Sequence, residues 1–166
     1  DPDAIDHAAT LLQRARQVYC LGQGGSQVLA GDIWARFSMI STKFRTAGDS
    51  HMQAITASLM GPEDVLLFVS YSGSTRDMMD TLRLAKENGA KVILITHYDD
   101  APGAALADVV LLCGAQENPL DSGSIPAKLA MLFVANVLVL RYTLDNQELA
   151  NLSLSRTSQA LGSKLL

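Results

Sequence analysis

Two short runs of apolar residues constrain this chain more than any other feature. Residues 65–69 read Val-Leu-Leu-Phe-Val, and residues 92–96 read Val-Ile-Leu-Ile-Thr. Near-continuous apolar runs of this length are typical of strands that are buried on both faces of a parallel sheet. The segment between them, residues 76–88, has apolar residues at helical spacing and ends in Asn88-Gly89, a common helix terminus. Strand, helix and strand in this order predict a βαβ unit.

The rest of the chain continues the alternation. We predict further strands over residues 18–21, 43–46 and 109–113, and further helices over residues 4–16, 26–40, 126–142 and 146–166. A length of 166 residues fits one domain. The predicted fold class is therefore α/β: a three-layer αβα sandwich with a doubly wound, five-stranded parallel sheet. The predicted single domain, 1–166, has an N-terminal helix at 4–16, a core at 17–143 and a C-terminal helical segment at 144–166.

Charge and composition exclude several classes of protein. The formal net charge is −4, and the lysines and arginines are scattered, so this chain by itself is not predicted to bind DNA or RNA. Its longest apolar stretch, residues 129–140, is interrupted by Asn136 and is shorter than a membrane span. We therefore expect no membrane contact and a cytoplasmic location. Cys20 and Cys113 have no second ligand at a suitable spacing, so we expect reduced core residues and no metal.

A glycine-rich loop follows the first predicted strand: Gly22-Gln23-Gly24-Gly25-Ser26. Glycines let the backbone turn sharply and present amide hydrogens to an anion. The loop departs from the dinucleotide-binding pattern, because the third glycine would fall at Gln27 and no acidic residue ends the second strand. We expect no nicotinamide cofactor, and no other cofactor is predicted. Gly24, Gly25 and Ser26 are candidate ligand-binding residues.

A stronger signal follows the third strand, where the chain passes into a helix. This loop carries four aliphatic hydroxyls and a glycine, and its candidate ligand-binding residues are Ser70, Tyr71, Ser72, Gly73, Ser74 and Thr75. Hydroxyls donate to phosphate oxygens, and a helix N-terminus adds amides and partial positive charge. The alternative is that Ser74 or Thr75 only caps the helix. Four hydroxyls beside a second glycine-serine loop favour a phosphate site that needs no lysine or arginine, with affinity on the order of micromolar.

These two loops together resemble the SIS (sugar isomerase) domain family. The resemblance runs from about Leu11 to Thr143 and depends on the pairing of the loops. It implies a flavodoxin-like fold and a serine-rich loop that grips the phosphate of a sugar phosphate. The residues that match the family pattern are Ser26, Ser70, Ser72 and Thr75, with Ser74 nearby.

The family contains enzymes and sensors, and acid and base residues distinguish them, because isomerisation must move a proton between adjacent carbons. The candidate bases here are His51, His97, Glu117 and Asp121, of which His51 and Glu117 are also candidate ligand contacts. Arabinose-phosphate isomerases carry a His-Gly pair in the second helix, and hexulose-phosphate isomerases a glutamate early in the helix after strand five. Neither pattern is present in this sequence.

The stretches 48–54, 71–74 and 122–130 instead resemble the effector domains of RpiR-type transcription regulators. That resemblance implies a sensor of a phosphorylated sugar that reaches DNA only through a separate N-terminal helix-turn-helix domain. The Asp-Pro start is consistent with a fragment of such a protein. We also expect a homodimer or higher homo-oligomer, because the helix over 126–142 is apolar around most of its circumference. The alternatives are a phosphosugar isomerase that uses Glu117 or His51, and a structural module that binds nothing.

Overall fold

The structure, a computed structural model, describes residues 1–114 and 125–162 of the chain. Five strands alternate with six α-helices and one short 3-10 helix. In chain order the elements are α1 (Pro2–Arg14), β1 (Gln17–Gly22), α2 (Gly25–Ser38), β2 (Phe44–Arg45), α3 (Ser50–Ser58), β3 (Asp64–Val69), α4 (Arg76–Glu87), β4 (Lys91–Thr96), the 3-10 helix (Ala104–Leu106), β5 (Val109–Leu112), α5 (Ile125–Asp145) and α6 (Gln147–Gly162).

All five strands are parallel and form one sheet in the order β2-β1-β3-β4-β5. The predicted α/β fold with a doubly wound, five-stranded parallel sheet is confirmed. From β1 the chain passes to β2 at one edge of the sheet, and from β3 it passes to β4 and β5 towards the other edge. The connections after the neighbouring strands β1 and β3 therefore run in opposite directions. The crevice at the carboxyl ends of such a strand pair is where open α/β sheets bind ligands.

Strand β3 shows why the apolar runs are continuous. All six of its residues are buried, and the five apolar residues, 65–69, alternate between two cores on opposite faces of the sheet. Leu67 and Val69 pack with residues of α1, α2 and α5, whereas Leu66 and Phe68 pack with residues of α3 and α4. A strand with a helical layer on each face needs apolar side chains at every position.

Strand β2 is shorter than predicted, and Lys43, which precedes it, joins this edge of the sheet to the end of α1. The predicted strand over 43–46 is reduced to Phe44 and Arg45. Lys43 Nζ donates to the carbonyl oxygens of Leu12 (2.6 Å) and Gln13 (3.1 Å), where α1 ends. A cation at this end of a helix complements the free carbonyls and the helix dipole. Burial lowers the pKa of Lys43 below its usual range.

Helix α5 is longer than predicted and has two different faces. Its buried side chains pack within the domain: Ala127, Met131, Ala135, Leu138 and Tyr142. A second row of apolar side chains is exposed: Ile125, Leu129, Phe133, Leu140 and Leu144. With 21 residues and a mean hydropathy of 1.5, α5 could cross a membrane by length and composition alone. The packing of its other face against the sheet is that of a core helix.

Candidate functional site

A cavity of about 220 Å³ lies at the carboxyl ends of β1 and β3, at the crevice that the sheet order predicts. Both predicted loops contribute to it, together with α2 and the first turns of α5. Its lining residues are Gln23, Gly25, Ser26, Leu29, Phe68, Val69, Ser70, Tyr71, Ser72, Thr75, Lys128 and Met131. The two loops therefore face one common space.

The first loop owes its shape to its glycines. A Cβ at Gly22 would lie 2.6 Å from the carbonyl oxygen of Ser26, so the loop can fold back on the start of α2 only with glycine there. Gly24 has a positive φ of 54° and is the N-cap residue of α2. No side chain caps this helix end. Gly25 and Ser26 thus bring an amide-rich helix terminus to the cavity.

The second loop is held rigidly behind the cavity. The Ser70 hydroxyl oxygen accepts a hydrogen bond from the Gly73 amide (3.2 Å). The carbonyl oxygen of Tyr71 accepts from the His97 amide (3.1 Å) and from the Thr96 hydroxyl (3.0 Å). These bonds tie the loop to the end of β4. The hydroxyls of the loop are therefore positioned by the backbone of neighbouring strands.

Thr75 occupies the N-cap position of α4, but its side chain does not cap the helix. Its hydroxyl donates instead to Gln23 Oε1 in the first loop (3.2 Å). Helix α3 shows the contrast, because Asp49 caps it with a hydrogen bond from the Met52 amide (2.9 Å). The alternative in which Thr75 serves only as a helix cap is therefore wrong for this side chain. Both helix termini at the cavity lack side-chain caps, and a hydrogen bond joins the two loops.

Lys128, in the first turn of α5, lines the cavity. Sequence reasoning predicted a site without lysine or arginine and therefore missed this residue. Its Cε lies 3.8 Å from the position that a Cβ on Gly25 would occupy. The signal was present in the sequence, since Lys128 is the single charged residue between Asp121 and Arg141. A lysine in the first turn of a helix opposes the helix dipole, so helix stability does not account for its position.

The charge of the cavity favours an anion. Among its twelve lining residues in the described part of the chain, Lys128 is the one cation and none is a carboxylate. Serine, threonine and tyrosine hydroxyls and the glutamine amide supply further donors. No cluster of ligating side chains that could hold a metal ion is found among residues 1–114 and 125–162. The arrangement can bind a phosphate group through neutral donors and one ammonium group.

The remaining candidates from the sequence fall into three groups. Six line the cavity: Gly25, Ser26, Ser70, Tyr71, Ser72 and Thr75. Four lie outside its lining: Gly24, Gly73, Ser74 and His51, of which Gly73 is buried and the other three are exposed. Glu117 and Asp121 lie outside the described residues. Ligand contact by His51 and by Glu117 stays a prediction.

His97 packs behind the second loop and is not among the lining residues. Its ring stacks on that of Tyr71 with the centroids 4.9 Å apart, and its Nδ1 lies 2.8 Å from the carbonyl oxygen of Cys113. Through these contacts His97 supports the second loop from outside the cavity. Cys20 and Cys113 are buried thiols outside any disulfide, as predicted for core residues, and burial raises the pKa of the Cys20 thiol.

A second, larger cavity is an apolar groove at the β5 edge of the sheet, beside α5. It has a volume of about 650 Å³ and lies between α1, β5 and the carboxyl half of α5. Phe133, Leu140 and Leu144 of the exposed α5 row line it, and we call it the α5 groove. Its apolar surface differs from the polar surface of the first cavity and suits contact with another protein surface.

Comparison with known proteins agrees with this geometry. The HTH-type transcriptional regulator RpiR of Escherichia coli (strain K12) is 35% identical over 155 residues, which are 93% of this chain and 52% of that regulator. The chain thus spans about half the length of that relative.

Three solved structures share the fold. The Vibrio vulnificus NanR protein complexed with ManNAc-6P has a TM-score of 0.93 at 24% identity, covering 99% of this chain and 62% of that one. The sugar isomerase domain of an RpiR transcription factor from Sphaerobacter thermophilus has a TM-score of 0.85 at 23% identity, covering 96% and 87%. A Bacteroides fragilis protein described as a candidate phosphosugar isomerase has a TM-score of 0.77 at 24% identity, covering 91% and 85%.

One family profile, that of the SIS domain, matches residues 11–141. The match covers most of the chain, including both loops of the cavity and the start of α5. The sheet order and the fold of the solved relatives agree with it. This chain belongs to the SIS domain family and is similar over most of its length to part of an RpiR-type transcriptional regulator.

Proposed function

We propose that this chain is the phosphosugar-sensing domain of a bacterial transcriptional regulator. The observation that carries the proposal is the cavity in which two hydroxyl-bearing loops, two helix termini without side-chain caps and Lys128 converge. NanR, which shares the fold, was solved with the sugar phosphate ManNAc-6P, and RpiR is a regulator. Both facts support a sugar phosphate as the ligand here.

The phosphate group would be held by Ser26, Ser72 and Thr75, with Lys128 adding charge. Hydrogen bonds to a charged group contribute about 1.5–3 kcal/mol each. Three or four of them, less the entropy of association, support a Kd on the order of micromolar. The sugar would extend from the phosphate along Tyr71, and we propose His51 and Glu117 as its further contacts.

Sensing is the better proposal than isomerisation because the relative RpiR is a transcriptional regulator and the sequence lacks the acid and base patterns of the isomerases. An aldose–ketose isomerase needs a base that is deprotonated near neutral pH, and the ammonium group of Lys128 is suited to binding an anion instead. His51, in the first turn of α3, is exposed and does not line the cavity. Because the fold also occurs in a candidate phosphosugar isomerase, the enzyme alternative needs a direct test.

The proposal is tested by titrating this chain calorimetrically with a panel of pentose, hexose and N-acetylhexosamine phosphates. We expect at least one member to bind with a Kd on the order of micromolar, and the unphosphorylated sugar of that member not to bind. The same mixtures, followed by NMR of the sugar, should show no interconversion. Binding by no member would contradict the sensor proposal, and turnover of any member would favour the isomerase.

The signal would pass through a homodimer to a DNA-binding domain outside this chain. RpiR is an HTH-type regulator and this chain matches 52% of it, so the remainder is where we place a helix-turn-helix. The net charge of −4 is consistent with DNA contact by another domain. A cytoplasmic location follows from this role. Ligand can shift such a dimer only through a difference in affinity for its two arrangements.

We place the dimer contact at the α5 groove, with a second copy of this chain as its occupant. Phe133 is 70% exposed and Leu140 55% exposed, and both line the groove. Phe133→Glu with Leu140→Glu should convert the dimer to a monomer, because a two-fold interface would bury each new charge twice at a cost of several kcal/mol.

Sedimentation equilibrium checks this prediction, and Met39→Glu is the matched control. Met39 is 44% exposed at the end of α2 and does not line the groove, so this variant should remain a dimer. A wild-type chain that is monomeric at high concentration, or a doubly substituted chain that still dimerises, would contradict a dimer contact at this groove.

A further inference from the structure

Gln53, in α3, is a polar side chain without any exposed surface, and it does not line the phosphate cavity. Its Nε2 donates to the carbonyl oxygens of Gly22 (2.8 Å) and Ala47 (3.3 Å). Its Oε1 accepts from Gln23 Nε2 (3.4 Å). A buried amide is costly unless it is hydrogen-bonded, and this one connects the end of β1 with the segment that leads into α3.

The two backbone carbonyls fix the orientation of the Gln53 amide. If the amide were flipped, its oxygen would face the carbonyl oxygens of Gly22 and Ala47, and three acceptors would meet without a donor. The Gln53 oxygen therefore faces Gln23, and the Gln23 nitrogen must face Gln53. The oxygen of Gln23 is left to face Thr75, whose hydroxyl donates to it. Gln53 thus sets which group donates and which accepts in the hydrogen bonds that connect it, through Gln23, to Thr75.

This direction has a consequence for the Thr75 hydroxyl. Its single proton is donated to Gln23 Oε1, whereas an anion in the cavity would need the same proton. Gln23 cannot offer a hydrogen in return, since its amide is held by Gln53. We propose that Gln23, oriented by Gln53, is a positioning residue that competes with the phosphate for Thr75 and is released when the phosphate takes that hydroxyl.

The release would carry the signal to α3. Gln53 Nε2 bonds to Ala47 O, two residues before Asp49, and Asp49 caps the first turn of α3. The Gln23–Gln53 bond is the longest link in this chain of contacts, so it is the one most easily lost. The inference rests on the proposed phosphate site, and it adds a path from that site to the start of α3.

Gln23→Met tests the competition. This variant removes the acceptor for Thr75 and leaves the bonds of Gln53 to Gly22 and Ala47 in place. We expect it to bind inorganic phosphate roughly two- to tenfold more tightly than the wild-type chain, because the hydroxyl no longer has to leave Gln23. Gln17→Met, the same substitution at the opposite end of β1, should bind as the wild-type chain does. Weaker binding by Gln23→Met would show that Gln23 is a phosphate contact and would overturn the proposal.

Hydrogen exchange of the α3 amides tests the path. In the wild-type chain, saturating phosphate should change the exchange rates of residues 50–54 by about threefold or more, and in Gln23→Met these rates should not respond. A response that persists in Gln23→Met, or no response in a wild-type chain that binds phosphate, would refute the path alone. A wild-type chain that binds neither inorganic phosphate nor any sugar phosphate would refute the proposed site itself.

Discussion

Replacing both Ser26 and Ser72 by alanine should weaken binding of the best sugar phosphate of the panel by roughly 10²- to 10⁴-fold. Each serine lines the phosphate cavity from a different loop, so the double variant removes a donor from each side of the anion. Each lost hydrogen bond to the charged group costs about 1.5–3 kcal/mol. The glycine-containing backbones of the two loops and the side chain of Lys128 are unchanged, so the fold should be unaffected.

Isothermal titration measures this change, and thermal unfolding shows that the variant is folded. Ser58→Ala is the control, because the Ser58 hydroxyl donates to the carbonyl oxygen of Ile55 at the end of α3, away from the cavity. A double variant that binds as tightly as the wild-type chain would mean that the sugar phosphate is held somewhere else.

Gly73→Ala has the second large expected effect, on stability and binding together. Gly73 has a φ of +58°, and a Cβ there would lie 2.6 Å from Ala101 Cβ and 2.9 Å from Thr96 Oγ1. A left-handed conformation costs a non-glycine residue about 1–2 kcal/mol, and the overlap adds to that cost. We expect a loss of roughly 2–4 kcal/mol in the free energy of unfolding. The second loop must also shift, so we expect sugar-phosphate binding to fall below detection.

Urea unfolding and the same titration measure both effects. Gly31→Ala is the matched control, since Gly31 lies inside α2 and an added Cβ would meet nothing within 4 Å. There the substitution should raise the free energy of unfolding by about 0.5–1 kcal/mol and leave binding unchanged. A Gly73→Ala chain of wild-type stability would show that the loop is not constrained as its backbone indicates.

The sequence predicted the features of the fold that depend on local patterns. The apolar runs at 65–69 and 92–96 became strands buried on both faces, because a strand between two helical layers has no solvent-facing side. The hydroxyls that follow β3 were found for a similar reason: parallel strands bring the loops at their carboxyl ends to one edge of the sheet.

The features that sequence reasoning missed depend on tertiary contacts. Lys128 is remote from both loops in the chain and reaches the cavity only because α5 packs over that edge of the sheet. Gln23 was not among the candidate residues of the first loop, although its amide joins the two loops. Conversely, Ser74 is next to the cavity loop in sequence but is exposed, since adjacent side chains point in different directions. The order of strands and loops in the sequence predicts which loops meet, whereas tertiary packing decides which of their side chains face the cavity.

The account depends on a single anion that contacts both loops. Titration of the isotope-labelled chain with inorganic phosphate, followed by amide NMR, measures this directly. We predict that the amides of Gly25 and Ser26 in the first loop and of Ser72 and Gly73 in the second loop shift together along one binding curve, with one Kd. Shifts confined to one loop, two different binding curves, or shifts that cluster at the α5 groove would contradict the proposed site.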